Sequence, residues 1–406
     1  MTDNKLKIRW VYLFTAVFAM LFAGILYAWS ILKIPFVNEF GWSSSSLAFN
    51  FTLTMCFFCL GAFAGSHIYR RLGPRFPIVL SGILVGAGFT LTGCLNGGNI
   101  APLYLCYGIL AGGGIGISYN VLTSTVSAWF PDKKGLCSGC LMMGFGTSTL
   151  LLGNIISILF EADGFGWRKT FILLGIVIAV VLIAAGTILK RTTPDIVFPA
   201  VSAGKKAGRE SFEVKDMTPT EMLKRFTFWR AFILLVCLTA VGNSVISFAR
   251  DLVLSVGASA ALATSLVGVL SIFNGLGRIF TGALFDAAGR RITMLTSNIV
   301  TIIAAGITLL AVLFQSLPLC IAGLCLTGLS YGSCPTLCSA FAAAFYGTKH
   351  FPTNFSIVNF NLIFASFIAT ASSNLYASTG SYTAPFVMLL VLASGALALN
   401  FSIRKP

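Results

Sequence analysis

The sequence predicts an all-α membrane protein whose twelve transmembrane helices form two pseudo-symmetric bundles of six. The prediction comes from three observations: a very apolar composition, twelve stretches of membrane-spanning length, and a repeat that relates the two halves of the chain. Of the 406 residues, 57% are hydrophobic and only 10% are charged. The mean hydropathy of +0.91 lies far above the range of soluble domains.

The spans follow from length and composition, because a helix needs about 20 predominantly apolar residues to cross a bilayer. The first apolar run is too long for the core of a signal peptide and lacks a small-residue cleavage site behind it, so we expect it to remain in the mature protein. The twelve runs lie near residues 10–31, 44–67, 77–95, 102–124, 136–160, 170–190, 229–249, 260–284, 292–314, 317–343, 352–375 and 381–402.

The formal net charge of +15 is distributed in a way that indicates orientation. Cytoplasmic loops of membrane proteins are enriched in lysine and arginine. With the N-terminus inside, the opposite side keeps only four cations, which are Lys33, Arg168, Lys169 and Arg250. We therefore predict a multi-pass protein of the inner or plasma membrane with both termini in the cytoplasm. The basic excess marks topology, and we do not expect nucleic acid as a partner.

Eleven cysteines are spread over the spans without accompanying histidines or carboxylates. At helical spacing inside apolar runs, such cysteines are expected to be small packing residues, and we predict neither a metal site nor a cofactor. No combination of His, Cys and carboxylate residues converges within the spans, so the sequence does not predict an enzyme.

The long polar stretch at residues 191–228 divides the chain into an N-terminal bundle, residues 1–190, and a C-terminal bundle, residues 229–406. Within this linker, the segment Thr218–Trp229 is predicted to form an amphipathic helix on the inner membrane surface. One of its first two threonines would be the N-cap, and its basic residues lie toward the C-terminal end. The expected role of the linker is to tether the two bundles.

The two halves repeat each other at a fixed offset. The loop after the second span reads Tyr-Arg-Arg-Leu-Gly-Pro-Arg, and the loop after the eighth reads Phe-Asp-Ala-Ala-Gly-Arg-Arg. Their glycines, Gly73 and Gly289, are 216 residues apart (289 − 73), and Lys133 aligns with Lys349 at the same offset. A parallel repeat of six spans is the simplest explanation.

The second of these loops resembles the signature loop of the major facilitator superfamily, in which a glycine is followed four residues later by aspartate and then by Gly-Arg-Arg. The matching residues are Gly282, Asp286, Gly289, Arg290 and Arg291, and the first copy retains Gly73 and Arg75. The first copy departs from the pattern, because Arg70 stands where the repeat has Asp286. The resemblance implies that these residues form gating loops.

Four further motifs are Gly24-Ile-Leu-Tyr27-Ala-Trp29-Ser30, Trp129-Phe-Pro-Asp-Lys-Lys-Gly135, the Leu-Lys-Arg-Phe-Thr-Phe-Trp segment ending at Trp229, and the stretch from Asn274 to Arg278. Together they resemble the oxalate/formate antiporter family and its monocarboxylate-transporter relatives. The resemblance extends over essentially the whole chain. It implies two six-helix bundles around a central cavity, transport by alternating access, and a protein able to work as a monomer.

Arg278 lies inside the apolar run from Ala260 to Phe285, where an arginine costs roughly 2.5–3.5 kcal/mol on insertion scales. We predict that it binds the carboxylate of the substrate, because a guanidinium group matches a carboxylate with two parallel hydrogen bonds. Asn274 lies one turn away on the same helix face and is predicted to share the site. The alternative is that Arg278 extends to the cytoplasmic interface, about 12 Å away along the helix.

Tyr27, Tyr119 and Tyr331 lie within the first, fourth and tenth spans, with Gly or Ser nearby. A buried tyrosine usually has a hydrogen-bond partner. The resemblance implies that aromatic residues at these positions line the substrate cavity, and simple packing is the alternative. Asn361 is a further candidate ligand, and the alternative is that it joins helices, as amides at membrane depth more often do.

The resembled exchangers carry a second cation in the eleventh span, and it is missing here, since the region holds Asn361 and Leu362. This favours a small monocarboxylate such as formate, lactate or pyruvate over a dicarboxylate such as oxalate, because a second buried negative charge would have no partner. Many monocarboxylate transporters have a carboxylate one turn before the arginine, where this chain has Asn274. Anion exchange and proton symport stay open, as do an oxalate/formate-type antiporter, a carboxylate-binding membrane sensor and a drug exporter.

Overall fold

The computed structural model describes residues 2–130, 134–192, 216–347 and 349–403, except for the side chains of 2–6, 134–136, 138 and 286. Twelve helices in these ranges are long and apolar enough to cross a membrane, which confirms the predicted all-α fold. We name them α1 (Lys7–Phe40), α2 (Ser44–Leu72), α3 (Arg75–Gly93), α4 (Ala101–Ser127), α5 (Gly139–Glu161), α6 (Gly166–Ile188), α7 (Phe226–Ser255), α8 (Ala260–Phe285), α9 (Ala287–Leu313), α10 (Leu317–Tyr346), α11 (Phe351–Thr379) and α12 (Thr383–Ser402).

Helix α1 is longer and less regular than the sequence predicts. A 3₁₀ segment, Gly24–Ala28, interrupts it near its middle, and a further helical segment, Ile34–Phe40, begins with a proline in its first turn. Proline is tolerated there because the first N–H groups of a helix have no intrahelical acceptor. The predicted end of the span near residue 31 therefore falls short of the observed end at Phe40.

Both halves of the protein use the same helix neighbours. In the N-terminal half, α1 packs against α5 and α6, α2 against α4, and α3 against α6. In the C-terminal half, α7 packs against α11 and α12, α8 against α10, and α9 against α12. Each contact in the first half recurs six helices later, as a parallel repeat requires.

Glycines hold two equivalent helix crossings together, α2 with α4 and α8 with α10. A Cβ atom added at any of four glycines would overlap a carbonyl oxygen of the partner helix, so only glycine permits this approach. The four are Gly61 and Gly116 in the first half and Gly277 and Gly332 in the second. The second pair follows the first at an offset of 216 (277 − 61 and 332 − 116).

The loop glycines of the repeat also share one conformation. Gly73 has φ 80° and ψ −173°, and Gly289 has φ 75° and ψ 176°. Residues with a side chain rarely adopt this backbone, so the turn itself requires the glycine that the two loops have in common.

The linker helix is shorter than predicted. It spans Pro219–Leu223 and begins with a capping box, in which Thr218 and Glu221 each accept a hydrogen bond from the other's backbone N–H. The extended backbone of Arg225 then starts a new helix, α7. The prediction of one amphipathic helix continuing to Trp229 was therefore wrong. Residues 193–215 of the predicted linker lie outside the described residues.

The number of spans is even, so both chain ends lie on the same side of the bundle as the segment between α6 and α7. We call this side the linker face and the opposite side the far face. The two halves meet mainly along three helix pairs, α1 with α7, α2 with α11, and α5 with α8. The candidate site lies at this interface.

Candidate substrate site

Arg278 is buried at the contact between the two halves, with 2% of its surface exposed. Its Nε donates to Asn274 Oδ1 at 3.2 Å, Nη1 donates to the Met142 carbonyl oxygen at 3.0 Å, and Nη2 donates to the Tyr27 hydroxyl at 3.2 Å. The guanidinium group thus reaches from α8 to α1 and α5 in the other half. It does not extend to the membrane interface.

Every one of these acceptors is neutral. Among the side chains that the structure describes, ion pairs join Lys33 to Asp251 and Arg168 to Glu39, and no described carboxylate lies within 4 Å of Arg278. The Nδ2 of Asn274 is also buried without a hydrogen-bond partner. An unpaired cation beside an unused donor is costly in the interior, and both would be satisfied by an acceptor-rich anion.

A cluster of aromatic rings lies beside the guanidinium group, and two rings of the N-terminal half contact it. The Arg278 Cζ lies 6.0 Å from the ring centres of both Tyr27 and Phe145. The Tyr27 ring packs edge-on against Phe145 at 5.2 Å and against Tyr331 at 5.7 Å, and Phe145 packs against Tyr119 at 5.2 Å. The three tyrosines predicted from the sequence are therefore brought together, although only Tyr27 contacts Arg278 through its hydroxyl.

Three residues at the site were missed by sequence reasoning. Met142 accepts a hydrogen bond from Arg278 at its carbonyl oxygen and one from the Tyr119 hydroxyl at its sulfur, at 3.1 Å. Phe145 packs between the rings of Tyr27 and Tyr119. Asn243 of α7 accepts a hydrogen bond from the Tyr331 hydroxyl at 2.8 Å. Asn243 carried a usable signal, since it is an amide in the middle of an apolar span. Met142 and Phe145 carried none, because their side chains are those of ordinary membrane helices.

Asn361 lies apart from this group. Its Nδ2 donates to the Val358 carbonyl oxygen at 2.7 Å and to Cys338 Sγ at 3.2 Å, while its Oδ1 accepts from Thr239 at 3.0 Å. These bonds connect α11 to α7 and α10, and none of them goes to Arg278 or its partners. The structure therefore uses Asn361 to join helices.

The predicted gating residues differ in their contacts. Arg290 Nη2 donates to the Ile403 carbonyl oxygen at 3.5 Å, and the guanidinium group lies 4.6 Å from the Phe345 ring centre. Arg75 and Arg291 are exposed. The side chain of Asp286 lies outside the described residues, so its predicted gating role stays a prediction.

Hydrogen bonds between the halves enclose the site from both directions. Toward the far face, Lys33 Nζ donates to Asp251 Oδ2 at 2.6 Å and to the Ser247 carbonyl oxygen at 3.2 Å. Toward the linker face, Asn120 Nδ2 donates to Ser356 Oγ at 3.0 Å. A charged site is thus enclosed between two repeated helix bundles, an arrangement that many multi-pass membrane transporters share.

Sequence comparison gives the family. The profile of the Major Facilitator Superfamily matches residues 12–252 and 232–406, and the chain belongs to this superfamily. It is 30% identical to the oxalate:formate antiporter of Oxalobacter formigenes over 287 residues, which is 70% of this chain and 65% of the antiporter. It is 24% identical to monocarboxylate transporter 13 of Rattus norvegicus over 182 residues, 45% of this chain and 41% of that transporter.

A solved structure supports the fold. A bacterial homologue of the human lysosomal transporter Spinster, in an inward-facing and unoccupied conformation, superposes with a TM-score of 0.71 and covers 98% of this chain and 97% of its own. The sequence identity is 16%, so this likeness concerns the fold alone.

Proposed function

We propose that the protein carries small monocarboxylates across the membrane by alternating access, with Arg278 binding the carboxylate. The buried guanidinium group carries this proposal. It has neutral acceptors only, and it lies beside the unused Nδ2 donor of Asn274. A carboxylate offers two acceptor oxygens that could take one bond from each group, and its charge would neutralise the arginine.

A monocarboxylate fits the charge of the site better than a dicarboxylate. No second cation takes part in the hydrogen bonds or ring contacts described for Arg278, so the second charge of oxalate would be buried unpaired at a cost of several kcal/mol. The likeness to an oxalate:formate antiporter makes the dicarboxylate antiporter the second candidate. Competition between the two substrates decides between them.

The charge argument also favours exchange over net transport. With substrate bound, the pair formed with Arg278 is neutral and can pass through the sealed state, whereas the empty site carries one uncompensated positive charge at low dielectric. Reorientation of the empty protein should then be slow. Asn274 cannot titrate, so a proton would have to travel with the substrate or use Asp251.

The test is uptake of radiolabelled formate, lactate, pyruvate and oxalate by purified protein in liposomes. Arg278→Ala should lower the uptake of the preferred monocarboxylate at least about thirtyfold, because removal of one member of a buried charge pair costs 2 kcal/mol or more. Arg278→Lys should also fail, since an ammonium group cannot form the bidentate pair. Lys224→Ala, on an exposed position of the linker segment, is the matched control.

Transport that survives in Arg278→Ala would remove the anion site from Arg278. Preference for oxalate over every monocarboxylate would support the second candidate. Homoexchange is then compared with net uptake in the same liposomes, and equal rates would contradict the charge argument for exchange. A dependence of net uptake on an imposed pH gradient would indicate proton symport.

Several broader assignments belong to the same proposal. The excess of lysine and arginine supports a cytoplasmic linker face and an inner or plasma membrane location. We place the functional boundaries at residues 1–190, 191–228 and 229–406, with the protein acting as a monomer. Epitope accessibility at the two termini and light scattering of the purified protein test orientation and oligomeric state.

A further inference from the structure

A cavity of about 690 Å³ opens on the far face between the two halves. Its walls come from the ends of α1, α5 and α6 on one side and from α7 and α8 on the other. The polar residues that line it and carry the argument are Asn154, Ser157, Glu161, Arg250, Thr264 and Ser265. The volume is ample for a small organic anion with its hydration water.

Arg250 is the cation that this cavity leaves unpaired. Of the other cations predicted on the far side, Lys33 is paired with Asp251, Arg168 with Glu39, and Lys169 donates to the Gly164 carbonyl oxygen. Arg250 is half-buried, and its Nε makes one long hydrogen bond of 3.5 Å to Thr264 Oγ1. In the described part of the chain, no carboxylate lies within 4 Å of it.

The acidic residues at the cavity do not cancel this charge where it matters. Glu39 accepts two hydrogen bonds from Arg168, at 3.1 and 2.6 Å, and a third from Trp167 at 2.6 Å. Glu161 is exposed at the rim, where water screens it. A half-buried guanidinium group between low-dielectric walls therefore sets the local field and attracts anions.

The α5–α8 contact runs from the inner end of the cavity toward Arg278. Along this contact the helices are closely packed. A Cβ added at Gly268 would be 3.1 Å from the Leu150 side chain, and one added at Gly146 would be 3.3 Å from the Gly275 backbone. A small separation of the two helices would connect the cavity to the central site.

We propose that this cavity is a docking site for the carboxylate of the substrate, which binds Arg250 at the far face before it passes between α5 and α8 to Arg278. The inference rests on the proposed function. It makes Arg250 a substrate-binding residue that governs how fast anions enter from the far face, whereas Arg278 holds them in the sealed state.

The test measures initial uptake at low substrate concentration in intact cells and in everted membrane vesicles, so that each face is presented in turn. A membrane-impermeant thiol reagent that labels Ser265→Cys, in a Cys94→Ser background, identifies the preparation that presents the far face. In that preparation Arg250→Gln should lower kcat/KM roughly tenfold, the size of a local electrostatic steering effect. Raising the salt concentration should lower kcat/KM of the wild type much more than that of Arg250→Gln.

Two further variants sharpen the result. Glu161→Gln should raise kcat/KM from the far face, because it removes the negative charge at the rim, and Arg250→Lys should retain most of the activity. Lys169→Gln, an exposed far-face cation that does not line the cavity, is the matched control. A preferred carboxylate should also slow thiol labelling of Ser265→Cys in the wild type and fail to do so in Arg250→Gln.

The outcomes separate this inference from the proposed function. If the wild-type protein transported no carboxylate at all, both the proposed function and the docking site would be overturned. Arg278-dependent transport together with unchanged far-face kinetics in Arg250→Gln, or an equal salt response in both proteins, would overturn the docking site alone. A fall of kcat/KM in Arg250→Gln that is matched by Lys169→Gln would show a general surface effect and would also contradict it.

Discussion

Replacing Asp251 by asparagine should favour opening of the far face. Lys33 and Asp251 belong to different halves and lie 2.6 Å apart. Asparagine keeps the shape and one acceptor oxygen but removes the charge that neutralises Lys33, a side chain only 7% exposed. In the sealed state Lys33 would then be an uncompensated cation, and opening would let water reach it.

The magnitude follows from the burial of the two partners. Two unit charges 4 Å apart attract by about 4 kcal/mol at an effective dielectric constant of about 20. The Asp251 side chain is 38% exposed, so screening reduces the net effect, which we put at roughly 1–3 kcal/mol. That range corresponds to a shift of roughly 5- to 150-fold in the equilibrium between sealed and open states.

The assay is the rate at which an impermeant thiol reagent labels Thr52→Cys in the Cys94→Ser background. Thr52 is buried in the α2–α11 contact, where it bonds to Ser366 and Thr370, and would become accessible when the far face opens. Asp251→Asn should raise the labelling rate at least about fivefold. Glu39→Gln is the control, since its ion pair lies within one half.

A labelling rate within twofold of the parent protein would refute the reasoning. A second experiment replaces both members of the Lys33–Asp251 ion pair. Lys33→Met combined with Asp251→Leu removes both charges and should return the labelling rate toward that of the parent, because no buried cation then remains. Persistent fast labelling in the double variant would show that shape, and not charge, holds the far face closed.

Three further predictions concern the central site and its helices. Asn274→Asp should abolish uptake at neutral pH by pairing with Arg278, and uptake measured across a pH series should recover as the new carboxylate is protonated; a flat profile would contradict this. Tyr27→Phe should raise KM by about tenfold or more, because a hydrogen bond to a charged group contributes about 1.5 kcal/mol or more, with an unchanged KM as the contrary result. Gly332→Ala should lower the melting temperature in detergent, since its methyl group would overlap the Asn274 carbonyl oxygen, whereas Gly306→Ala, which meets nothing within 4 Å, should not.

Much of the fold could be predicted because it follows from the bilayer and from the repeat. Apolar length alone locates the spans, and the offset between Gly73 and Gly289 anticipates the shared turn conformation of the two loops. The end of α1 could not be predicted in this way. The charges of Lys33 and Glu39 predict that the span ends before them. Lys33 is nevertheless buried within α1, because it is paired with Asp251 of α7, which is 218 residues away in the sequence.

The candidate site was only partly predictable, for a related reason. Arg278 and Asn274 share one helix face, which the spacing alone reveals. Met142 binds Arg278 through its backbone carbonyl oxygen, and the residue type at position 142 gives no indication of this contact. The amide of Asn361 could bind a substrate as readily as that of Asn274, but it is bonded to Thr239 and Cys338 instead. These bonds depend on the packing of α11 against α7 and α10, which no local sequence pattern predicts.

The glycine crossings have a consequence for motion. Because no side chain separates α2 from α4 or α8 from α10, neither pair can slide without a collision between a backbone carbonyl and its neighbour. Each half should therefore rock as a rigid block, and the flexible points must lie elsewhere, in segments such as the 3₁₀ turn Gly24–Ala28 that carries Tyr27. At the offset of 216, Arg278 corresponds to Ala62 (278 − 216). The two halves therefore have the same helix arrangement, but only the C-terminal half has the buried arginine at this position. An anion bound to Arg278 would therefore keep its position relative to the C-terminal half, while the N-terminal half moves relative to both.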